Sequence, residues 1–242
     1  VDSYNIKIIG HESIICMNKV EYTTGEWRHG FSFKGCTDMI LKGIQIKDTG
    51  GDGIYIAGSA RKRYSENIRI EDVRSTNNKR QGMSVISVKN LSVSNSVFED
   101  TKGTLPEAGV DFEPNSKDDI LENIIFNNCV FQNNGHSGVL LALNKMVTKS
   151  SPISITFSDC IIRRNHHKDN RYTASEIVFG AHKDKPVKGL VTFEECVIKD
   201  SEWGLFYSRK TSSAYKVIFK NCAAENISQD GSFPPIYLEV PD

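Results

Sequence analysis

Short stretches in which apolar and other side chains alternate recur along the whole chain. The first kind begins with glycine and continues apolar, any residue, apolar, as in Gly53-Ile54-Tyr55-Ile56. It occupies residues 30–33, 53–56, 82–85, 109–112, 138–141 and 204–207, and, without the glycine, residues 176–179 and 235–238. Successive stretches start 23 to 38 residues apart. A period of two over four residues predicts short strands rather than helices.

A second kind of stretch, apolar at its first position, falls between the first ones. It occupies residues 41–44, 70–73, 93–96, 126–129, 157–160, 193–196 and 219–222. Four residues further on stand Asp48, Asn77, Asp100, Asn133, Asp200 and Asn226, and Arg164 interrupts this series. Asn and Asp tolerate left-handed backbone and bond to nearby main chain, so the series predicts a recurring bend.

These spacings predict an all-β, single-stranded right-handed parallel β-helix of about eight coils. Each coil buries its apolar positions and hydrogen-bonds to the coils above and below it. A propeller blade needs about 40–45 residues and four strands, which is more than these periods hold. We expect residues 1–242 to form one domain.

Four of the six cysteines share one register of the second stretch: Cys129, Cys160, Cys196 and Cys222. Other coils have Ile44, Val73 or Ser96 at this position. Because free cysteine packs as a small apolar residue, we expect an inward column of free thiols. Closely spaced Cys or His that would indicate a metal site are absent from the sequence, and we expect no cofactor.

The repeat resembles the pectate-lyase-like superfold of right-handed β-helices. The segments that carry the resemblance are Gly50-Gly51-Asp52-Gly53-Ile54-Tyr55-Ile56 and Arg80-Gln81-Gly82-Met83-Ser84. This group includes polysaccharide lyases, polygalacturonase-type glycosidases, alginate epimerase-like proteins and phage tailspikes. The resemblance implies binding of an extended polysaccharide on the outer face of one sheet. The catalytic motifs of the polygalacturonases and alginate epimerases are absent here, so no catalytic residue is transferred.

The coil that begins at Gly109 carries two acidic residues, Asp111 and Glu113. They alternate with Val110 and Phe112, which predicts that both carboxyls project outward, roughly 6.6–7 Å apart along the strand. Two carboxyls at such a separation suit the hydrolysis of a glycosidic bond. A solvated acidic pair or a cation site is the alternative. We therefore predict Asp111 and Glu113 as catalytic candidates, together with Asp52, which otherwise caps a glycine-rich bend.

Polar residues precede the glycine position in the neighbouring coils: Arg28, His29, Asp52, Arg80, Gln81 and His136. Since stacked coils lie about 4.8 Å apart, these residues predict a polar ridge beside the acidic pair. Arg80 is a candidate to neutralise a substrate carboxylate, and His136 titrates in a useful range. Tyr55, Trp203, Phe206 and Tyr237 are candidates to stack on sugar rings. Arg28, His29, Tyr55, Arg80, Gln81 and His136 are thus the predicted substrate-binding residues.

Charge and hydropathy narrow the range of partners. The 30 basic and 30 acidic residues balance, which argues against a nucleic-acid partner. No apolar run approaches the roughly 18–20 residues that cross a bilayer. A polysaccharide or oligosaccharide is the expected partner, and the expected location is secreted or at the cell surface.

Three classes of function remain open on the sequence alone. The first is a carbohydrate-active enzyme, with a glycoside hydrolase favoured over a lyase or epimerase because two carboxyls are present. The others are a non-catalytic glycan-binding module and a tailspike-like structural protein. The chain is also expected to be a piece of a longer protein, or to have its ends covered by another chain, with Ile6, Ile8, Leu238 and Val240 at the open ends.

Overall fold

The computed structural model describes residues 1–166 and 175–239 as a stack of parallel strands. One sheet has eight strands: β2 (Phe31–Lys34), β4 (Ile54–Ala57), β7 (Met83–Val85), β10 (Val110–Phe112), β13 (Val139–Leu143), β16 (Ser175–Ala181), β19 (Gly204–Ser208) and β22 (Ile236–Leu238). We call this the first sheet. Its eight strands lie within or overlap the eight stretches of the first kind, which confirms the predicted strands.

The second sheet has fourteen strands in two rows that share the long strand β3. One row contains β5 (Ser65–Glu71), β8 (Val88–Ser94), β11 (Leu121–Asn127), β14 (Ile153–Ser158), β17 (Gly189–Glu194) and β20 (Lys216–Lys220). The other contains β6 (Arg74–Thr76), β9 (Val97–Glu99), β12 (Val130–Gln132), β15 (Ile161–Arg163), β18 (Val197–Lys199) and β21 (Ala223–Glu225). Strand β3 (Thr37–Lys47) begins both rows, and β1 (Tyr4–Cys16) pairs with it. A short 3-10 helix, Lys19–Glu21, follows β1.

The chain therefore passes through the first sheet and then through each row once per coil, which is the predicted parallel β-helix. Registers repeat from coil to coil: Met83 pairs with Ile54 on one side and with Val110 on the other. Inward side chains form one continuous core that extends from Phe33 to Tyr215. Stacked phenylalanines run through it, such as Phe157 and Phe193 with ring centroids 4.8 Å apart.

The predicted bend column is present, and it includes the residue that interrupts the series. Asp48, Asn77, Asp100, Asn133, Arg164, Asp200 and Asn226 all have left-handed φ between 51° and 57°. Arg164 therefore continues the bend despite its side chain.

A second left-handed column was missed by the sequence analysis. It consists of Gly43, Asp72, Asn95, Asn128, Asp159, Glu195 and Asn221, each at the third position of a second-kind stretch. In most coils that stretch is consequently a corner between two strands rather than a single strand. Side-chain amides connect the corners, as where Asn128 Nδ2 donates to Asn95 Oδ1 at 2.9 Å.

The cysteine column is confirmed, because Cys129, Cys160 and Cys196 are buried, Cys222 is half-buried in the last coils, and all are free thiols.

The register predicted for the last coils is wrong by one residue. Phe206, rather than Leu205, pairs with Ile177 and Ile236. A slip of one residue reverses the facing of a strand, so Phe206 joins the core and Tyr207 points outward. Phe206 is therefore excluded as an outward sugar-stacking residue. Tyr207 is the outward side chain of this strand, and its ring stacks on that of Tyr237 with centroids 5.4 Å apart.

Apolar side chains are exposed at both ends of the stack. Ile6 is 39% exposed and Leu238 is 61% exposed, while Ile8 is half-buried. Val240 lies outside the described residues. The described residues contain no helix that is long and apolar enough to span a membrane.

Candidate functional site

A segment that carries no repeat, residues 17–29, folds across the corner that precedes the first sheet. We call it the strap. Lys19 Nζ donates to the backbone oxygen of Asn78 at 3.2 Å, and Lys79 Nζ donates to that of Tyr22. A Cβ on Gly50 would overlap the Tyr22 ring, and one on Gly51 would overlap the Glu26 carbonyl. The glycine pair therefore lets the strap approach closely enough to bring Glu26 and Trp27 beside the first sheet.

Arg80 lies at the centre of an ionic cluster on the outer side of the first sheet. Its guanidinium nitrogens lie 2.9 Å from Glu113 Oε2, 3.3 Å from Glu26 Oε2 and 3.7 Å from Asp52 Oδ1. Asp52 and Arg80 precede strands β4 and β7, and Glu113 follows β10, so three successive coils contribute one side chain each. The predicted proximity of Asp52, Arg80 and Glu113 is therefore observed, with Glu26 of the strap as a fourth member.

Asp111 points outward from β10 as its alternation predicts, but its predicted exposure is wrong. Its side chain is fully buried, whereas that of Glu113 is 40% exposed. Gln81 Nε2 donates to Asp111 Oδ2 at 2.8 Å, and Gln81 Oε1 accepts from the Ala108 backbone at 2.8 Å. The sheet face is closed around Asp111, since Ser84 and Leu140 on the flanking strands are also buried.

Burial controls the protonation of these carboxyls. Loss of solvent raises the pKa of Asp52 to about 7, and the positive charge of Arg80 only partly opposes this. Burial, followed by the nearby charge of Glu113, raises the pKa of Asp111 well above its usual range. Asp111 Oδ1 has no hydrogen-bond partner in the described part of the chain. Burial thus favours the protonated forms of Asp52 and Asp111, while Glu113 is ion-paired with Arg80.

His29 is held as a neutral imidazole. Its ring stacks on Tyr55, with centroids 4.6 Å apart and planes 9° apart, and its Nδ1 accepts from the Asp52 backbone N–H at 3.1 Å. Burial lowers the pKa of His29 to about 4. The Nδ1 contact assigns the proton to Nε2, an atom that has no hydrogen-bond partner in the described part of the chain.

The cluster opens into a cleft of about 200 Å³, lined by Glu26, Trp27, His29, Asp52, Tyr55, Arg80, Ile86, Glu113 and Asn115. A second cavity of about 420 Å³ shares Tyr55, Ile86 and Asn115 with it. This second cavity is bounded by the loops that follow β4 and β10, and Arg63, Asp118 and Asp119 lie in its wall. The combined groove runs along the strands of the first sheet, from the residues that precede β4 and β7 to the loops that follow β4 and β10.

Two predicted ridge residues do not reach this groove. Arg28 is exposed, and its guanidinium lies over the Tyr22 ring at 5.0 Å within the strap. His136 is 5% exposed and packs 6.1 Å from the ring of His166. Both residues precede the glycine position, as Arg80 does. Arg28 instead packs against Tyr22 within the strap, and His136 is enclosed because the sheet face beyond Asp111 is buried. Gln81 acts behind the groove by holding Asp111.

Glu26 and Trp27 were missed as site residues. Trp27 is 78% exposed at the rim of the cleft. Both belong to a segment without alternation, and the Gly50-Gly51 pair was the available signal that another segment packs there. Among residues 1–166 and 175–239, no three His, Cys, Asp or Glu side chains are grouped so that they could hold a metal ion.

Stacked parallel coils with a carboxyl-lined cleft on one face define a parallel β-helix protein. The family model "Right handed beta helix region" matches residues 4–224, and the chain belongs to that family.

Among curated proteins, the chain is 28% identical over 106 residues to the uncharacterized protein YclG of Bacillus subtilis (strain 168). This match spans 40% of the chain and 18% of YclG. Among solved structures, pectate lyase Pel9A superposes with a TM-score of 0.55 at 13% identity, over 88% of this chain and 55% of Pel9A. The A-module of the mannuronan C-5 epimerase AlgE4 of Azotobacter vinelandii gives 0.45 at 13% identity, over 99% of this chain and 76% of that one. The chain therefore spans about half of Pel9A and under a fifth of YclG.

Proposed function

We propose that this protein is a carbohydrate-active β-helix that hydrolyses glycosidic bonds of a polysaccharide in the cleft beside Arg80, outside the cell or at its surface. The name of Pel9A, a pectate lyase with the same fold, supports a polysaccharide as the class of substrate. The choice of hydrolysis rests on the site. Fold alone supports many activities.

The observation that carries the proposal is that one buried and one exposed carboxyl, Asp52 and Glu113, contact the same guanidinium. Glycoside hydrolysis needs one protonated carboxyl as general acid and one carboxylate as base or nucleophile. Burial raises the pKa of Asp52 to about 7, whereas Glu113 is exposed and paired with Arg80 at 2.9 Å. Neighbouring carboxyls in such different environments are typical of acid and base pairs.

The roles follow from position and charge. Glu113 is the carboxylate that attacks the sugar or activates water, because its side chain reaches the cleft. Asp52 is buried like Asp111 but, unlike Asp111, lines the cleft, and it is the proton donor to the leaving oxygen. Arg80 orients Glu113, and Asp111 is a positioning residue that is held by Gln81 beside Glu113 and Arg80.

The substrate-binding residues are His29, Tyr55 and Trp27. The His29 Nε2–H offers a hydrogen bond to a sugar oxygen from the wall of the cleft. Tyr55 is stacked on His29 and is half-buried, while the exposed Trp27 ring presents a flat apolar surface at the rim. An exposed aromatic ring such as that of Trp27 suits stacking on the apolar face of a sugar.

A polysaccharide lyase is the second candidate, supported by the name of Pel9A. A lyase needs a cation to neutralise the uronate carboxylate. Arg80 is the cation in the cleft, and it already contacts Glu26, Asp52 and Glu113. Because Arg80 already contacts these three carboxyls, it is poorly placed to neutralise a uronate, which favours the hydrolase.

The test is incubation with a panel of polysaccharides while reducing ends and the ultraviolet absorbance of unsaturated uronates are followed. We expect reducing ends without absorbance, with kcat falling as pH rises through about 7 because Asp52 loses its proton. Glu113→Gln should lower kcat by at least about a hundredfold.

The matched control is Glu122→Gln in β11. Glu122 is exposed to a similar extent, 42% against 40%, and is also paired with a base, Lys89 at 3.2 Å. Its replacement should leave kcat unchanged. Full activity of Glu113→Gln would exclude the assigned role, absorbance from unsaturated uronates would identify a lyase, and binding without any cleavage would identify a binding module.

A further inference from the structure

Acidic side chains outnumber basic ones around the groove, even when Lys34, whose Nζ lies 5.3 Å from the centroid of the Tyr55 ring, is counted. The cleft and the adjoining cavity are lined by five carboxyl side chains, Glu26, Asp52, Glu113, Asp118 and Asp119, and by two guanidinium groups, Arg63 and Arg80. His29 adds no positive charge at neutral pH, because its pKa is lowered to about 4. Even with Asp52 protonated, acidic groups outnumber basic ones.

Neither guanidinium is well placed to compensate an anionic substrate. Arg80 contacts three carboxylates, and its side chain is 15% exposed. Arg63 is exposed in the second cavity, whose wall also contains Asp118 and Asp119. A carboxylate or sulfate in this groove would therefore lie among like charges, which disfavours binding.

His29 Nε2, one of the buried polar atoms of the cleft without a hydrogen-bond partner among the described residues, suits a neutral sugar. His29 Nε2–H is a neutral donor on a side chain that is 5% exposed, and a sugar hydroxyl or ring oxygen can accept from it. The exposed carboxylates of Glu26, Glu113 and Asp118 are acceptors, which match hydroxyl donors of the same sugars. Neutral hydroxyl groups thus satisfy both kinds of group in the groove.

We propose that the polysaccharide segment bound in this groove carries no acidic groups, so that the substrate class is a neutral polysaccharide and not a polyuronate or a sulfated glycan. This inference rests on the proposed function for the identity of the groove as a glycan site. Like charge in the groove supplies specificity by repelling acidic chains, while hydrogen bonds and ring stacking bind neutral ones.

The test uses two pairs of polymers that differ in charge: fully methyl-esterified pectin against polygalacturonate, and hydroxyethyl cellulose against carboxymethyl cellulose. Retardation of the wild-type protein is measured in gels that contain each polymer. We expect the neutral member of at least one pair to retard the protein at about a tenfold lower concentration than its acidic partner. Equal or stronger retardation by the acidic members, or retardation by neither class, would overturn the inference.

A charge reversal at the rim gives an independent arm. Asp118 is exposed and lines the second cavity, so Asp118→Lys should increase retardation by polygalacturonate, whereas Glu122→Lys on the other sheet should not. An unchanged response of Asp118→Lys would contradict the repulsion. Cleavage of an acidic polymer would refute this inference and leave the proposed hydrolysis intact. Retention of neutral polymers without cleavage would refute the proposed hydrolysis and leave this inference intact.

Discussion

Asp111 and Glu113 are two residues apart, yet they occupy different environments. Glu113 reaches solvent and pairs with Arg80, whereas Asp111 is enclosed and bonded to Gln81. Desolvation, followed by the nearby charge of Glu113, raises the pKa of Asp111 and so favours its protonated form. In the proposed mechanism Glu113 therefore acts on the substrate, and Asp111 positions Glu113.

This division can be tested by two substitutions of Asp111. Asn resembles a protonated Asp, since its amide can donate to Glu113 while its oxygen accepts from Gln81. We expect Asp111→Asn to keep kcat within about tenfold of wild type. Asp111→Ala leaves Gln81 without its acceptor and should lower kcat much more, with less change in KM.

Steady-state kinetics on a cleaved substrate gives kcat and KM for both variants, and the pH profile of each variant is recorded with them. A loss of activity in Asp111→Asn as large as that in Glu113→Gln would mean that Asp111 acts directly on the substrate. In that case the positioning role is wrong.

At the scale of elements, the strap and the coils differ in what determines their structure. Coils repeat one pattern and stack through backbone hydrogen bonds, while the strap is held by its contacts with Gly50, Gly51, Asn78 and Lys79. It supplies Glu26 and Trp27 to the cleft. The site therefore depends on a segment that contributes little to the core.

Gly51→Ala should test the contribution of the strap to the site separately from that of the coils to the fold. The added Cβ overlaps the Glu26 carbonyl, so the strap must move away from Arg80. We expect lower activity and faster proteolysis within residues 17–29, with a loss of roughly 1–3 kcal/mol in the free energy of unfolding.

The control is Gly180→Ala, because the atoms nearest to a Cβ at Gly180 lie 3.6 Å away, an ordinary contact distance. That variant should match wild type in activity and in strap proteolysis. A Gly51→Ala protein with an unchanged strap and full activity would show that the strap is not needed at the cleft.

The whole molecule combines a long apolar core with a few buried acids. Glu176 takes the place that glycine has in other coils, and it is fully buried. Asn165 Nδ2 donates to it at 2.6 Å, yet burial raises the pKa of Glu176 to about 8. Together with Asp52 and Asp111, it makes the folded state hold protons that the unfolded chain releases.

The stability of the protein should accordingly fall as pH rises from 6.5 to 8. The carboxyls of the unfolded chain are ionised throughout this window, whereas Glu176 and Asp52, with pKa values of about 8 and about 7, retain protons when folded. Each such group removes up to roughly 1.4 kcal/mol per pH unit. His29 is neutral in the folded state throughout this window, because its pKa is lowered to about 4, whereas the unfolded histidine, with a pKa of 6.5, opposes the fall only near the lower limit.

Urea unfolding at several pH values measures this slope. Glu176→Gln should flatten it, and Glu122→Gln should leave it unchanged, because Glu122 is exposed. Stability that rises with pH across the window, or an unaltered slope in Glu176→Gln, would show that the buried acids do not control it.

The strands and bends were predictable because each is local and is repeated: four residues define a strand, and one Asn or Asp defines a bend. The enclosure of Asp111 was not, because it depends on packing between segments that are distant in sequence. Glu26 meets Arg80 across more than 50 residues without a shared pattern. The slip at Phe206 has a different origin, since Gly204 stands one place away from the register that glycine marks elsewhere.

The left-handed corners have a consequence for how such a chain evolves. Because Asn128, Asp159 and their equivalents fix where each strand turns, a loop between corners can grow, shrink or be replaced while the ladder keeps its register. The long interval before β16 already differs from its neighbours in this way. Residues 17–29 and 113–119, which surround the groove, can thus change in sequence and length during evolution while the strands behind them keep their register. New specificities are accessible by local insertion, without a search for a new fold.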